Sequence, residues 1–275
     1  MNFILSIYRY IFCRRIFYRF NYHFYRIASR GIGVLNSESY GATGEEYLFK
    51  FLQATIPLHI VFDVGANTGE YTEWVKKYFP KASIYAFEPH PNTYKRLLKN
   101  TKDQFVKTYN LALGENNRLG KLWDFADDAV LKSTQPTSNL SSLQKDVISR
   151  LHQQKSMSFL VKVTTLDDFM KKEKIERISL LKIDTEGTEF DVLLGAKEAL
   201  KRGKIDIIQF EFNEMNVYSR VFMKDFVDLL VGFTFYRLMP NGLYPMGEYR
   251  PSTWEIFAFQ NIVAIHKSVN ISIIE

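Results

Sequence analysis

The chain has 275 residues, 46% of them hydrophobic, enough for one domain with a large core and incompatible with a disordered chain. Its formal net charge of +6 is carried by Arg9, Arg14, Arg15, Arg19, Arg26 and Arg30; no acid precedes Glu38, and the remainder holds 30 basic and 30 acidic residues, which argues against a nucleic-acid enzyme with a basic cleft. The single cysteine, Cys13, excludes an intramolecular disulfide, argues against a cysteine-based zinc site, and fits a reducing, cytoplasmic setting.

Residues 1–37 read as a basic, aromatic helical extension to a domain spanning 38–275. Arginines interrupt the apolar residues from Arg9 onward, so no run of about 18 needed to cross a bilayer occurs. A short apolar part without a small-residue cleavage site also argues against a signal peptide. Wound as one helix, the segment sets Arg15, Arg19, Arg26 and Arg30 beside Ile16, Phe20, Phe24 and Ile27. Such a helix can rest peripherally on an anionic membrane, pack on the domain, or meet a second copy in a homo-oligomer. Gly31–Gly33 and the polar run Asn36–Thr43 predict a linker. Thr43-Gly44-Glu45-Glu46 has capping-box spacing and predicts a helix to about Gln53.

From Ile60 the chain predicts strands alternating with helices, hence an α/β, Rossmann-like fold with a mainly parallel sheet and helices on both faces. Strand Ile60–Val64 runs through Asp63 into the turn Gly65-Ala66-Asn67-Thr68-Gly69 and a helix to Tyr78. A second strand, Ser83–Phe87, ends on Glu88-Pro89. Such a half-fold suits an adenosine-type cofactor, with Glu88 accepting hydrogen bonds from ribose hydroxyls. A dinucleotide turn prefers G-x-G-x-x-G; here those positions are Gly65, Asn67 and Glu70, and Glu70 would repel a pyrophosphate. S-adenosylmethionine carries no phosphate, and Asp63 with the turn amides can meet its ammonium and carboxylate. It is the favoured cofactor; a nicotinamide oxidoreductase is the less favoured reading.

A helix over Asn92–Asn100 and a strand over Phe105–Asn110 follow, leading to Leu111–Gly114. Residues 115–165 read as an insertion: a hairpin, Gly120–Phe125 with Ser158–Thr164, around the polar stretch Ser133–Ser142, which suits a lid or substrate loop. After a helix at Leu166–Lys171, strands Ser179–Ile183 and Ile205–Phe212 end in Asp184-Thr185-Glu186-Gly187-Thr188-Glu189 and Glu211-Phe212-Asn213. Ligands of open parallel sheets bind beyond the strands' carboxyl ends, so these acids point at the reacting centre. Crowded carboxylates raise one another's pKa, as a general base requires; Asp184, Glu186 and Glu211 are the candidates, and His90 a weaker one. Glu189 and Asp191 also suit a helix start. Asp184, Glu211 and Asn213 could instead hold Mg²⁺, an open but less favoured reading. Phe233–Leu238 and Glu255–Ile265 predict an antiparallel pair closing the sheet.

Four stretches carry a resemblance: VFDVGANTGEYT (61–72), AFEPHP (86–91), NLALG (110–114) and LKIDTEGTEFDVLLGA (181–196). Together they resemble the FkbM-type methyltransferases over roughly residues 45–267, and the IDTEG block gives the match its specificity. The resemblance implies a class I methyltransferase fold, S-adenosylmethionine as methyl donor, and O-methylation of a sugar or another small hydroxylated metabolite. It places the turn Asp63–Gly69 on the methionine part, Glu88 and Pro89 at the ribose, and Asn110, Leu111 and Ala112 beside the adenine. A module that binds the cofactor without catalysis is the alternative.

Overall fold

The computed structural model describes residues 2–37, 39–125, 141–144 and 156–271. Two helices, α1 (Asn2–Phe12) and α2 (Tyr18–Gly31), open the chain, followed by α3 (Tyr40–Thr43) and α4 (Glu45–Thr55). An alternating run comes next: β1 (Ile60–Val64), α5 (Glu70–Tyr78), β2 (Ser83–Phe87), α6 (Pro91–Asn100) and β3 (Val106–Tyr109). A short β4 (Ala112–Leu113) leads into the insertion, which contributes β5 (Arg118–Phe125) and β6 (Ser156–Thr164). Then come α7 (Leu166–Glu173), β7 (Ile178–Ile183), α8 (Glu189–Leu194), α9 (Lys197–Lys201) and β8 (Ile205–Phe212). The chain closes with α10 (Met215–Ser219), α11 (Met223–Leu229), β9 (Phe233–Met239), β10 (Gly242–Pro245), α12 (Pro251–Trp254) and β11 (Gln260–His266).

Eight strands form the main sheet in the order β10-β9-β11-β8-β7-β1-β2-β3, and β3, β2, β1, β7 and β8 run parallel. The predicted antiparallel pair is present, but β11 slots between β8 and β9 rather than closing an edge, and β10 takes the edge. Residues 255–259 precede β11 instead of extending it. The predicted hairpin forms as β5–β6, joined by β4 in a separate three-stranded sheet. Residues 126–140 and 145–155, with most of the polar stretch, lie outside the described residues.

Strand alternation sends each side of the sheet to its own core. Phe62, Leu181, Ile183 and Phe210 pack with Phe169 of α7, Val192 of α8 and Phe226 of α11. Val61, Leu180 and Ile207 pack on the other face with Leu48 and Phe49 of α4 and Val75 of α5. Phe169 meets Phe87 edge-on at 4.8 Å and Phe62 at 5.7 Å. Burying each such ring stabilises the fold by roughly 1.5–3 kcal/mol.

Two local expectations are corrected. The N-terminal segment is not one helix: it breaks at Cys13–Arg14, where Arg14 is extended (φ −131°, ψ 148°), so Arg15 and Ile16 leave the α2 stripes. The Thr43–Glu46 capping box does not form, because Thr43 ends α3 and Gly44 is the left-handed cap of α4 (φ 86°), bearing no side chain.

Candidate functional site

A cleft of about 660 Å³, counting its open mouth, lies beyond the carboxyl ends of β1, β2 and β7. Its floor is the turn after β1. Gly65 N and Ala66 N both donate to Phe87 O, and Asp184 N donates to Val64 O, so the turn is clamped between β2 and β7. Gly65 has φ 82°, and a Cβ there would stand 1.7 Å from Asp184 O. The glycine is therefore demanded by the neighbouring strand's backbone, not by room for a ligand alone. Asn67, also left-handed at φ 48°, donates its N–H to Glu88 Oε2 at 3.0 Å.

Glu88, at the end of β2, is 5% exposed and forms part of the wall. Its second oxygen accepts from His90 N at 2.7 Å. Burial pushes its carboxyl from the ordinary 4.5 up to about 7, outweighing the opposite pull of those two N–H donors. Phe87, Leu111, Ala112, Leu113, Leu122 and Leu143 make the remaining wall largely apolar. Leu122 and Leu143 come from the insertion, whose Ser142 pairs with Trp123 and donates its hydroxyl to Glu186 O at 2.7 Å.

On the opposite side, Asp184, Thr185, Glu186 and Thr188 line the cleft. Glu186 is held left-handed (φ 55°), a conformation uncommon for a residue with a side chain, and Gly187 follows it at φ 99°. Glu189 holds this loop, its carboxylate accepting from Thr185 N at 2.8 Å and from Gly187 N at 3.1 Å. Its role is to brace the loop from the start of α8. The parallel register sets Ile183 opposite Phe210, which brings Asp184 beside Glu211. Burial, then the Asp184 charge, pushes the Glu186 and Glu211 carboxyls well above the ordinary range, with Glu189 adding to Glu186 and Glu186 to Glu211.

Behind the acids lies a buried polar row that the sequence reading missed. Asp63 of β1, Lys182 of β7 and Gln209 of β8 are cross-strand neighbours on one face of the sheet. Lys182 Nζ is 3.0 Å from Asp184 Oδ2, 3.8 Å from Asp63 Oδ1 and 5.0 Å from the centre of the Tyr71 ring. Gln209 donates to Glu45 Oε1 and accepts from Tyr71 OH, both at 2.8 Å. Burial pulls the Lys182 ammonium down, but Asp184, Asp63 and Glu45 together hold it above its ordinary value. The available signal was a lysine inside the apolar strand Ser179–Ile183, since a buried lysine implies a carboxylate partner.

Of the residues singled out in the sequence, Gly65, Asn67, Glu88, Pro89, Leu111, Ala112, Asp184 and Glu186 meet around the cleft. Asp63 does not reach it: the side chain is fully buried and Oδ2 accepts from Thr72 Oγ1 at 2.7 Å. Ala66 packs on Ala86 and Leu97, and Gly69 caps α5 beside Thr101, both away from the wall. Asn110 braces the end of β2 by donating to Glu88 O and Pro89 O at 2.9 and 3.0 Å. Glu211 stands behind Asp184 rather than in the lining. His90 caps α6, its Nδ1 accepting from Asn92 N and Thr93 N, while Nε2 faces Asp124 Oδ2 at 3.4 Å. For Mg²⁺, no three His, Cys, Asp or Glu side chains converge as metal ligands among the described residues, and Asn213 Oδ1 already accepts from Met215 N.

A sequence model of the Methyltransferase FkbM domain matches residues 63–236, well over half of the chain. The chain belongs to the FkbM methyltransferase family. Methyltransferase 1 of Beauveria bassiana is 30% identical over 143 residues, covering 49% of this chain and 57% of its own length. The 2-O-methyltransferase NoeI of Sinorhizobium fredii is 25% identical over 200 residues, covering 68% of this FkbM-family protein and 77% of its own length. The hexuronic acid methyltransferase AglP of Haloferax volcanii is 25% identical over 171 residues, covering 62% and 61%. The family match begins at Asp63, the residue that leads into the cleft-floor turn, and includes the Asp184–Glu189 loop. The sheet has the Rossmann-like, mainly parallel form expected of a class I methyltransferase.

Proposed function

We propose that this FkbM-family protein is an S-adenosylmethionine-dependent O-methyltransferase acting on a hydroxyl of a sugar or another small hydroxylated metabolite. The observation that carries the reading is that Glu88 and the Asp184–Glu186 loop face one cleft from opposite sides. The residues fit the cofactor: a buried carboxylate for ribose hydroxyls, apolar walls at Leu111 and Ala112 for a purine, and turn backbone at Gly65 and Asn67 for the amino-acid end. When bound, S-adenosylmethionine supplies a methyl group on a positively charged sulfur. The names of two relatives, a 2-O-methyltransferase and a hexuronic acid methyltransferase, support a hydroxyl on a carbohydrate as the acceptor.

The chain's own contribution is positioning and proton removal. Holding an acceptor hydroxyl in line can supply on the order of 7–11 kcal/mol of the barrier. Asp184 or Glu186 takes the hydroxyl proton; burial and the neighbouring Asp184 charge raise the Glu186 carboxyl above its ordinary value, which strengthens its ionised form as a base. Asp184→Asn should lower turnover on a sugar acceptor at least about 100-fold while S-adenosylhomocysteine still binds. Unchanged turnover would remove Asp184 from the proton path.

The Glu88 carboxyl gives binding a pH signature. With a pKa of about 7, it keeps a proton that the unfolded chain releases near 4.5. Without ligand, its contribution to stability therefore falls as pH rises between those values and is constant above them. Ribose hydroxyls donate to the ionised form, so S-adenosylhomocysteine affinity should rise about 10-fold from pH 6 to pH 8, with proton release seen by calorimetry. Glu88→Gln should flatten that rise and weaken binding about 10- to 100-fold. Titration with S-adenosylhomocysteine, with NADH as control, tests the cofactor; heat from NADH alone would replace a methyltransferase with an oxidoreductase.

A further inference from the structure

Nothing in the proposed chemistry uses α1 and α2, yet they hold the most unusual surface on the molecule. Among the described residues, 15 of the 23 large hydrophobic side chains that stand exposed lie between Phe3 and Ile32. Phe3, Tyr10 and Ile16 are 77%, 75% and 84% exposed, a density that a surface facing only water rarely sustains. Neither helix is long and apolar enough to cross a bilayer.

The charge is arranged with the apolar residues. At 100° per residue, Arg19, Arg26 and Arg30 of α2 share one stripe with His23, and Phe20, Phe24 and Ile27 occupy the adjoining one. On α1, Ser6 and Arg9 share a narrow polar stripe, and Ile4, Ile7, Tyr8 and Ile11 spread over the rest. Asn21 ties the helices together, accepting from Tyr8 OH at 2.6 Å and donating to Phe12 O at 3.0 Å. The end of α2 is fixed to the body: Ser29 and Val34 are buried, and Leu35 N donates to Phe259 O at 2.8 Å.

We infer that α1 and α2 form a docking face for an anionic lipid bilayer, lying along its surface with aromatic side chains at the headgroup boundary and arginines on lipid phosphates. Charge complementarity selects this occupant over a second copy of the chain. A two-fold interface built from these helices would set arginines against arginines, because no acid precedes Glu38. An amphipathic helix with an adjoining cationic stripe meets both needs of a membrane surface at once: apolar area to bury and phosphate to pair. The fixed junction at Val34–Leu35 would then hold the catalytic body at the bilayer, where a membrane-attached acceptor lies within reach.

The test is sedimentation of the full-length protein with vesicles of phosphatidylcholine alone and of equimolar phosphatidylcholine and phosphatidylglycerol. Binding should need the anionic lipid and weaken with added salt. Replacing three cations, Arg9→Glu, Arg19→Glu and Arg26→Glu, should weaken it at least about 100-fold, at roughly fivefold per arginine. Phe20→Ser with Phe24→Ser should also reduce it, and neither variant should change S-adenosylhomocysteine binding or the melting temperature. Equal partitioning on neutral and anionic vesicles, or none on either, would overturn the inference. So would a stable dimer that Phe20→Ser and Phe24→Ser dissociate and that ignores vesicles.

Discussion

Gly65→Ala should abolish S-adenosylhomocysteine binding and lower stability by on the order of 3–5 kcal/mol in urea unfolding, the sum of a left-handed alanine and a backbone clash. The added Cβ would lie 1.7 Å from Asp184 O, far inside the ~3.5–4.0 Å of an ordinary contact. Neither partner can yield cheaply. Gly65 N and Ala66 N are bonded to β2, and Asp184 N is bonded to Val64 O at 2.9 Å, so relief means prising β7 from β1. The same movement would displace Asp184 and Asn67, one from each side of the cleft. Wild-type affinity with wild-type stability would show that the turn is looser than this clamp implies.

That glycine shows how far the sequence could be read. An apolar run ending in Asp63-Val64-Gly65 signals a strand and turn because the signals are adjacent, and Glu88 lies on the next strand of the same half-fold. Both were placed correctly at the mouth of the sheet. The reason for Gly65 was not visible: the atom it avoids belongs to residue 184, brought close by strand order. Asp63 was misjudged for a related reason. One residue before the strand's end, it shares a side with Val61, under α4 and α5 and away from the cleft.

The buried polar row was the least legible part. Its hydrogen bonds join residues 138 and 164 positions apart, and its members align only through the β1–β7–β8 register. The IDTEG block is local, so it could be recognised. The lysine two residues before its Asp acquires a meaning only when Asp63 and Glu45 are folded against it. The break at Cys13–Arg14 was equally hidden, since no glycine or proline marks it. The Thr43–Glu46 pattern misled because Gly44 stops one helix and starts the next.

Lys182→Met tests whether that row holds the site together. The substitution roughly keeps the side chain's length and removes the cation between Asp63 and Asp184. Breaking a buried ion pair on one side costs about 3–5 kcal/mol, because the carboxylates left behind must ionise without a partner or keep their protons. Burial already raises the Asp63 and Glu45 carboxyls, and the Lys182 charge is the largest influence lowering them. Without it they rise further, so the folded variant holds protons that the unfolded chain has released. Its deficit should therefore be small near pH 5 and grow as pH rises through neutrality. Lys182→Met combined with Asp63→Asn should recover part of the loss, since the fully buried Asp63 then no longer needs a partner. Asp184 would also lose its 3.0 Å contact, so turnover should fall even in the stability-restored double variant. A single variant within about 1 kcal/mol of wild type at pH 8 would match the ordinary value of an exposed pair, and would mean that the row packs around Lys182 without depending on its charge.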